Sequence, residues 1–435
     1  MIVLARNVFQ NLGDEALLRC ELAHLRRALP EQEVVVLTDD PESVGERYGV
    51  SAHLSDVALL HGFAAPAARF ARRRGARAAS HQAARPLLRA GAAIAGGGLG
   101  ARARVLEWNA GRHARRLRVV GAGNLSRLLT VLSSASLVVG GGGLIPAVVP
   151  VYRARTALYR SVARLGIPLV LTGQTVLPDA RETEIWSHAH VVTRDHSVSP
   201  ANALALGCDP RRLLLGVDPA FSLEPVPAEA ALRALAEAGL PSGTPFVAVN
   251  LRSWRGCDDV GATRVLAQGL RHSPHAVVIF GMQRYAFDDD EPLLRRLAGR
   301  LRADGAEVYE LNAHDPAELK GVLALAEIVV SSRYHGALFA LVGGVPTVGL
   351  SVSPTYDVKL GGLFDLFGVQ RQLASLRAGG DELAVKIRTA FERRTSISEQ
   401  LLRRTEELGP LERIPYDLCR ALLSERDGAA AAAVA

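Results

Sequence analysis

A chain of 435 residues, 49% of them hydrophobic and 22% charged, is long enough for two ordinary domains with their own cores, and this composition excludes a disordered or fibrous protein. The net charge of +7 rests on arginine, because Lys320, Lys359 and Lys386 are the only lysines. Such a balance steers anions but does not choose among acidic substrates, nucleic acid and anionic membrane.

Cys20, Cys208, Cys257 and Cys419 are far apart and form no C-x-x-C pair, which argues against a zinc site or a disulfide framework and makes a reducing cytoplasm the expected location. Met1 runs directly into an apolar strand with no basic leader, so no signal peptide is expected. Residues 128–152 carry no charge and are long enough to span a bilayer, yet four consecutive glycines, two prolines and several serines break them up. They read as helix end, strand, glycine loop and next helix.

In chain order, residues 2–4 form a first strand, and Asn11 with Gly13, Asp14 and Glu15 opens a helix to about residue 29, its acids suiting the positive end of the helix dipole. Residues 34–37 are a second strand. Strand, helix and strand at this spacing signal a parallel α/β unit. Residues 61–118 carry thirteen arginines and one acid, Glu107. They read as helices whose basic side either is simply solvated or faces a polyanionic or lipid-linked acceptor or a membrane surface. No interleaved aromatics favour single-stranded nucleic acid, so no nucleic-acid partner is expected.

Alternation resumes with strands at 137–139, 167–171 and 191–192, an apolar run at 213–215, and a proline-rich linker at 224–227. A second series of strands follows at 246–249, 276–280, 307–310, 328–330 and 347–350, separated by helices. From about residue 382 the chain is helical and charged, ending in an alanine-rich tail expected to be disordered. The division is an N-terminal α/β domain over 1–195, a C-terminal α/β domain over 196–380, and a helical segment with its tail over 381–435.

The chemistry concentrates at residues 327–368. Arg333 and His335 stand where an apolar strand hands over to a helix, and the next strand is followed by a loop carrying Tyr356 and Lys359. In an open parallel sheet, that edge is where ligands bind, and the backbone N–H groups of a helix start favour an anion. Arg252 also emerges just past a strand. The glycines 140–143, Gly141 and Gly142 among them, would let a backbone approach a phosphate. No acid follows them between residues 144 and 178, which excludes a dinucleotide-binding dehydrogenase. The acids Asp288, Asp289, Asp290 and Glu291 before Pro292 read as a helix start, and no metal site is expected.

The element Ser331, Arg333 and His335, its apolar helix, the sequence Gly344-Val345-Pro346, and then Tyr356 and Lys359 resemble the C-terminal signature of the polysaccharide pyruvyl transferase family. Asn11, Gly13 and Asp14, the glycine run and Asp218-Pro219-Ala220-Phe221 fall in the order that family shows, so the likeness spans most of residues 1–368. The resemblance implies two Rossmann-like domains facing each other across a cleft, a GT-B-like fold, closed by a C-terminal helical segment. It also implies transfer of a pyruvyl group from phosphoenolpyruvate, with no further cofactor, to hydroxyls of a sugar or glycan-like acceptor, free or lipid-linked.

On that reading Arg333, Arg252 and Lys359 meet the donor's phosphate and carboxylate, and His335 protonates its C3. Asp14 positions or deprotonates an acceptor hydroxyl, while Tyr356, Asn11, Gly141 and Gly142 line the site. Two alternatives remain: a nucleotide-sugar glycosyltransferase on the same plan, with Glu318 or Glu327 meeting the ribose, and a non-catalytic anion- or sugar-binding protein.

Overall fold

The computed structural model describes residues 1–8, 10–55, 130–144, 150–178, 183–252, 259–271, 275–285 and 288–434. The arginine-rich stretch at 61–118 lies outside them.

Two parallel sheets organise the chain. The first has the order β3-β2-β1-β4-β5-β6-β7, built from Ser51–Leu54 (β3), Val34–Thr38 (β2), Ile2–Ala5 (β1), Leu137–Leu144 (β4), Leu169–Thr175 (β5), His190–Thr193 (β6) and Leu213–Leu215 (β7). The second has the order β12-β9-β8-β13-β14-β15, from Val308–Leu311 (β12), Ala276–Phe280 (β9), Phe246–Asn250 (β8), Ile328–Ser331 (β13), Thr347–Ser351 (β14) and Leu373–Ser375 (β15). A two-residue hairpin pairs Arg284–Tyr285 (β10) with Asp288–Asp289 (β11).

Helices cover both faces of each sheet, so the central strands are buried on both sides, which is why they read as unbroken Val, Ile and Leu runs. Ile2 pairs with both Val34 and Leu137, and Val329 with both Ala248 and Thr347, fixing the registers at the two centres. In each sheet the strand order reverses beside the first strand, between β1 and β4 and between β8 and β13. A crevice opens outside the carboxyl ends of the strands at such a switch point.

The first sheet runs past residue 195 and takes β7 as its edge strand; the chain crosses to the second sheet only through the proline-rich segment before the helix Ala228–Glu237. Lys320 fixes this crossing, its Nζ donating to the carbonyls of Phe221 (3.2 Å) and Leu223 (2.6 Å), and burial brings its amine down to about 8.

The closing helices serve both sheets. Gly380–Glu392 packs Leu383, Ile387 and Ala390 onto the second, whereas Ile414–Val434 returns to the first, where Tyr416, Cys419 and Leu423 join the core of β1 and β2. The ring of Tyr416 stacks on His24 with centroids 4.6 Å apart. The alanine-rich end continues this helix through Val434 instead of losing structure, in keeping with alanine's helix propensity. Among the described residues no helix is long and apolar enough to cross a membrane.

The glycine run is also a correction. Glycines 140–143 are not a loop but the carboxyl half of β4, paired with β5. Their small size is set by packing. A Cβ at Gly140 would lie 2.7 Å from Cε1 and Cζ of Tyr159, and one at Gly141, where φ is +110°, would lie 2.5 Å from the carbonyl oxygen of Thr172.

Candidate active site

The two switch points face each other, and the contacts between them are direct. The first helix, Leu12–Ala28, begins just beyond β1 and is capped by Asn11, whose Oδ1 accepts from the N–H groups of Gly13 (2.8 Å) and Asp14 (3.2 Å). The Leu12 N–H donates to the carbonyl of Met282 at 3.0 Å, and Leu12, Ala16 and Leu17 share one apolar cluster with Phe280, Met282 and Leu338. A domain boundary normally crosses few contacts; here the cleft wall is continuous with the core.

His335 is the second residue of the helix Tyr334–Val342, which follows β13. It is 9% exposed and lies between the domains. Its Nε2 is 3.6 Å from Oδ1 of Asp218, and its ring packs on Gly13, where a Cβ would fall 2.5 Å from Cγ. Asp218 caps the 3-10 turn Pro219–Ser222 and is fully buried. Burial pushes its carboxyl up, but the His335 imidazole and the Arg194 guanidinium outweigh it and hold the carboxyl well below the ordinary range.

Arg194, just past β6, donates from Nη1 to Asp218 (2.8 Å) and from Nε to Thr175 Oγ1 (2.8 Å). Its guanidinium lies 3.8 Å from the centroid of Tyr334, and its Nη2 is buried with no hydrogen-bond partner, as is Tyr334 Oη. Lys359 approaches the same ring, with Nζ at 5.4 Å from Tyr334 and 5.7 Å from Tyr356. Tyr356 and Lys359 lie not on a loop but in the first turns of the helix Pro354–Leu366, where a proline at the start and a spacing of three residues set both on one face. Arg252 emerges beyond β8 as expected; its N–H donates to Ser332 Oγ at 2.7 Å and its Nη1 donates to Tyr356 Oη.

Arg333 occupies a different place. Its Nε and Nη2 fork onto the carboxylate of Asp290, with Nε at 3.1 and 3.2 Å, and its Nη1 donates to Gln283 Oε1 at 2.8 Å. The same Gln283 oxygen accepts from Asn11 Nδ2 at 2.9 Å. Arg333 and Asn11 therefore meet through Gln283, tying the two switch points together. Asp290 is the N-cap residue of the helix Glu291–Ala303, so the acid run is a helix start and also supplies the countercharge of Arg333.

Gly141 likewise serves the scaffold. Its N–H donates to Tyr159 Oη at 2.8 Å and its carbonyl accepts from Arg6, which forms a buried pair with Glu21. Gly142 lies beside it in β4. Asp14 is half-buried in the first turn of its helix, and its charge acts on Lys359.

The cleft thus joins His335, Asp14, Lys359, Arg252 and Tyr356, and adds Arg194 and Asp218. Sequence reasoning could have found Arg194 by the argument it applied to Arg252, a cation one step past a strand. Among the described residues no group of three or more His, Cys, Asp or Glu is placed to hold a metal ion.

Residues 11–354 match the family described as polysaccharide pyruvyl transferase. The chain belongs to this family, and it is a transferase. The comparison with curated proteins gives no significant match. Among solved structures, Anabaena Alr3699/HepE in complex with UDP and glucose is similar, with a TM-score of 0.57 at 11% identity, over 98% of this chain and 100% of that one. UDP-GlcNAc 2-epimerase from Neisseria meningitidis bound to UDP-GlcNAc gives 0.55 at 9% identity, over 98% and 100%. A glycosyltransferase from Rickettsia africae gives 0.53 at 9%, over 97% and 98%. At these identities the likeness is one of fold, the two-domain GT-B arrangement with closing C-terminal helices.

Proposed function

We propose that this pyruvyl transferase takes its pyruvyl group from phosphoenolpyruvate and sets it as a ketal on two hydroxyls of a sugar or glycan acceptor. One observation carries the reading: cations from both domains, Arg194, Arg252 and Lys359, gather in the cleft around Tyr334 and Tyr356, next to an imidazole, His335, whose Nε2 lies 3.6 Å from the buried Asp218 carboxylate. Phosphoenolpyruvate asks for this combination, two anionic groups to be gripped and one carbon to be protonated.

In this mechanism His335 delivers a proton to C3, which becomes a methyl group, and C2 becomes electrophilic. One acceptor hydroxyl adds to C2, the C2–O bond to phosphate breaks, and the second hydroxyl closes the ketal. Of the two hydroxyl protons, one restores His335 and one leaves with phosphate. Asp218 stabilises the protonated imidazole. Asp14, across the cleft on the first helix, relays the second of these protons from the acceptor hydroxyl to the departing phosphate. Arg194 and Lys359, each with an unengaged nitrogen, are suited to the donor's oxygens. Arg333, clamped by Asp290 and Gln283, acts by positioning the strand-to-helix turn that carries His335.

The nucleotide-sugar alternative wants a carboxylate for the ribose. Glu327 stands at the amino end of β13, away from the cleft, paired with Arg394 at 3.5 Å. Glu318 lies in the first turn of the helix Pro316–Leu323. Neither is at a switch point. Incubation of the enzyme with phosphoenolpyruvate and a panel of free and lipid-linked glycans, followed by mass spectrometry, tests the proposal. A product carrying a ketal-linked pyruvyl group, absent with His335→Asn, is expected. Glycosyl transfer from a nucleotide sugar with no pyruvylated product would replace it.

A further inference from the structure

Arg194, Arg252 and Lys359 are each seated on a tyrosine. The guanidinium carbon of Arg194 lies 3.8 Å from the ring centroid of Tyr334, and that of Arg252 lies 5.2 Å from the centroid of Tyr356. Lys359 Nζ stands over both rings, at 5.4 and 5.7 Å. The two tyrosines are buried, 3% and 2% exposed. They come together because they stand in the first turns of the helices that follow β13 and β14, two adjacent strands of the second sheet.

Three like charges gathered in one cleft repel one another. Hydrogen bonds also hold the two arginines, Arg194 to Asp218 and Thr175, and Arg252 to Ser332 and Tyr356. Among the described residues Lys359 has no hydrogen bond or ion pair, so the ring faces and its own flexible stem place its ammonium. The negative face of an aromatic ring attracts a cation, and the attraction grows as the pair is desolvated. Tyr334 Oη meets no hydrogen-bond partner in the chain, so it is the face of this residue, not its hydroxyl, that the fold uses.

We propose that Tyr334 and Tyr356 are positioning residues: an aromatic platform that holds Arg194, Arg252 and Lys359 charged and converging, so that they grip a compact anion together. The platform lessens the ordering that anion binding would otherwise demand of a flexible ammonium. It acts through the cations and touches no reacting atom. That the anion is phosphoenolpyruvate rests on the pyruvyl-transfer reading above; the seating of the cations does not.

Two measurements test the platform. With lysine carrying 13C at Cε, the full chain gives signals from Lys320, Lys359 and Lys386 only, and Lys320→Arg and Lys386→Arg assign them. The Cε protons of Lys359 should be displaced upfield by the ring currents and should move back toward the position of an exposed lysine in Tyr334→Leu. An undisplaced Lys359 overturns the proposal. Calorimetric titration with phosphoenolpyruvate, and with UDP as a second anion, then compares Tyr334→Phe, Tyr334→Leu and Tyr334→Phe carrying one, two or three ring fluorines. Tyr334→Phe should bind phosphoenolpyruvate within about twofold of the wild type and Tyr334→Leu about five- to tenfold more weakly, with affinity falling stepwise as fluorine depletes the ring face. The fluorinated rings fill the same space, so this series decides the matter even where Tyr334→Leu fails to fold. The same gradation with UDP, and no binding of phosphoenolpyruvate, would keep the platform and remove the donor assignment. Equal losses in Tyr334→Phe and Tyr334→Leu would make the hydroxyl the working group and overturn the proposal, as would affinities indifferent to fluorine.

Discussion

Gly13 and His335, from opposite domains, are in van der Waals contact across the cleft, and no side chain fits between them: a Cβ on Gly13 would lie 2.5 Å from Cγ and 2.9 Å from Cε1 of the imidazole. The first helix can approach the family's histidine this closely only with glycine at its second position. Gly13→Ala must part the domains or turn His335 away from Asp218. Overpacking of this kind costs about 1–3 kcal/mol, which at the reacting centre corresponds to a loss of about 5- to 150-fold in rate. Steady-state kinetics should show reduced kcat with the thermal transition retained; a wild-type rate would show that the contact is no part of the working site.

Asp218 ties acid stability to the site. Its folded carboxyl titrates below the unfolded one, which is near pH 3.9, so its contribution is fully present above that value and is lost as pH falls toward its lower folded value. Asp218→Asn leaves the buried Arg194 guanidinium without its countercharge and should cost about 3–5 kcal/mol at pH 7. Urea unfolding of both proteins checks this: the gap between them should narrow as pH falls from about 5 toward 3. A gap independent of pH would show that Asp218 is not ionised as described.

Arg333→Lys retains a positive charge but loses the fork onto Asp290 and the bond to Gln283. Because the pair is buried, stability should fall by about 3 kcal/mol, while the donor dissociation constant of the folded variant changes less than it does in Lys359→Met. A large loss of donor affinity at unchanged stability would make Arg333 a direct donor contact.

Gly141→Ala tests the reading of the glycine run as packing. The residue has φ of +110°, and its Cβ would meet Thr172 and Gln174. A chemical-denaturation curve should show a loss above about 3 kcal/mol. Unchanged stability with lost ligand binding would return Gly141 to a ligand-contacting role.

Both parallel series, the linker and the strand-to-helix placement of Arg333 and His335 are legible in the sequence, because strands buried on two faces leave unbroken apolar runs. The edge strands Ser51–Leu54 and Leu373–Ser375 are short and half-exposed, and carry no such signal. The division at residue 195 fell short because β7 is three residues of leucine, readable as strand but not assignable to a sheet. At the site, single residues were visible and their partners were not. Nothing local in Asp290 says that it neutralises Arg333, 43 residues later, and nothing in Asp218 says that it meets His335. These pairings are made by the facing of two sheets, which periodicity does not encode. The segment after Ser351 reads as a loop although Ser353 followed by Pro354 is an ordinary helix start, a signal that the sequence reading did not use there.

The most direct test is a calorimetric titration of the full chain with phosphoenolpyruvate and, separately, with UDP, repeated on Arg194→Lys and on the exposed-site control Arg211→Lys. Arg194→Lys removes the unengaged Nη2 supplied by the N-terminal domain while keeping a charge opposite Asp218. One site for phosphoenolpyruvate on the wild type, weakened about tenfold or more in Arg194→Lys and unchanged in Arg211→Lys, is the predicted result. Binding of UDP with none of phosphoenolpyruvate, or phosphoenolpyruvate binding indifferent to Arg194, would contradict a donor site built across both domains.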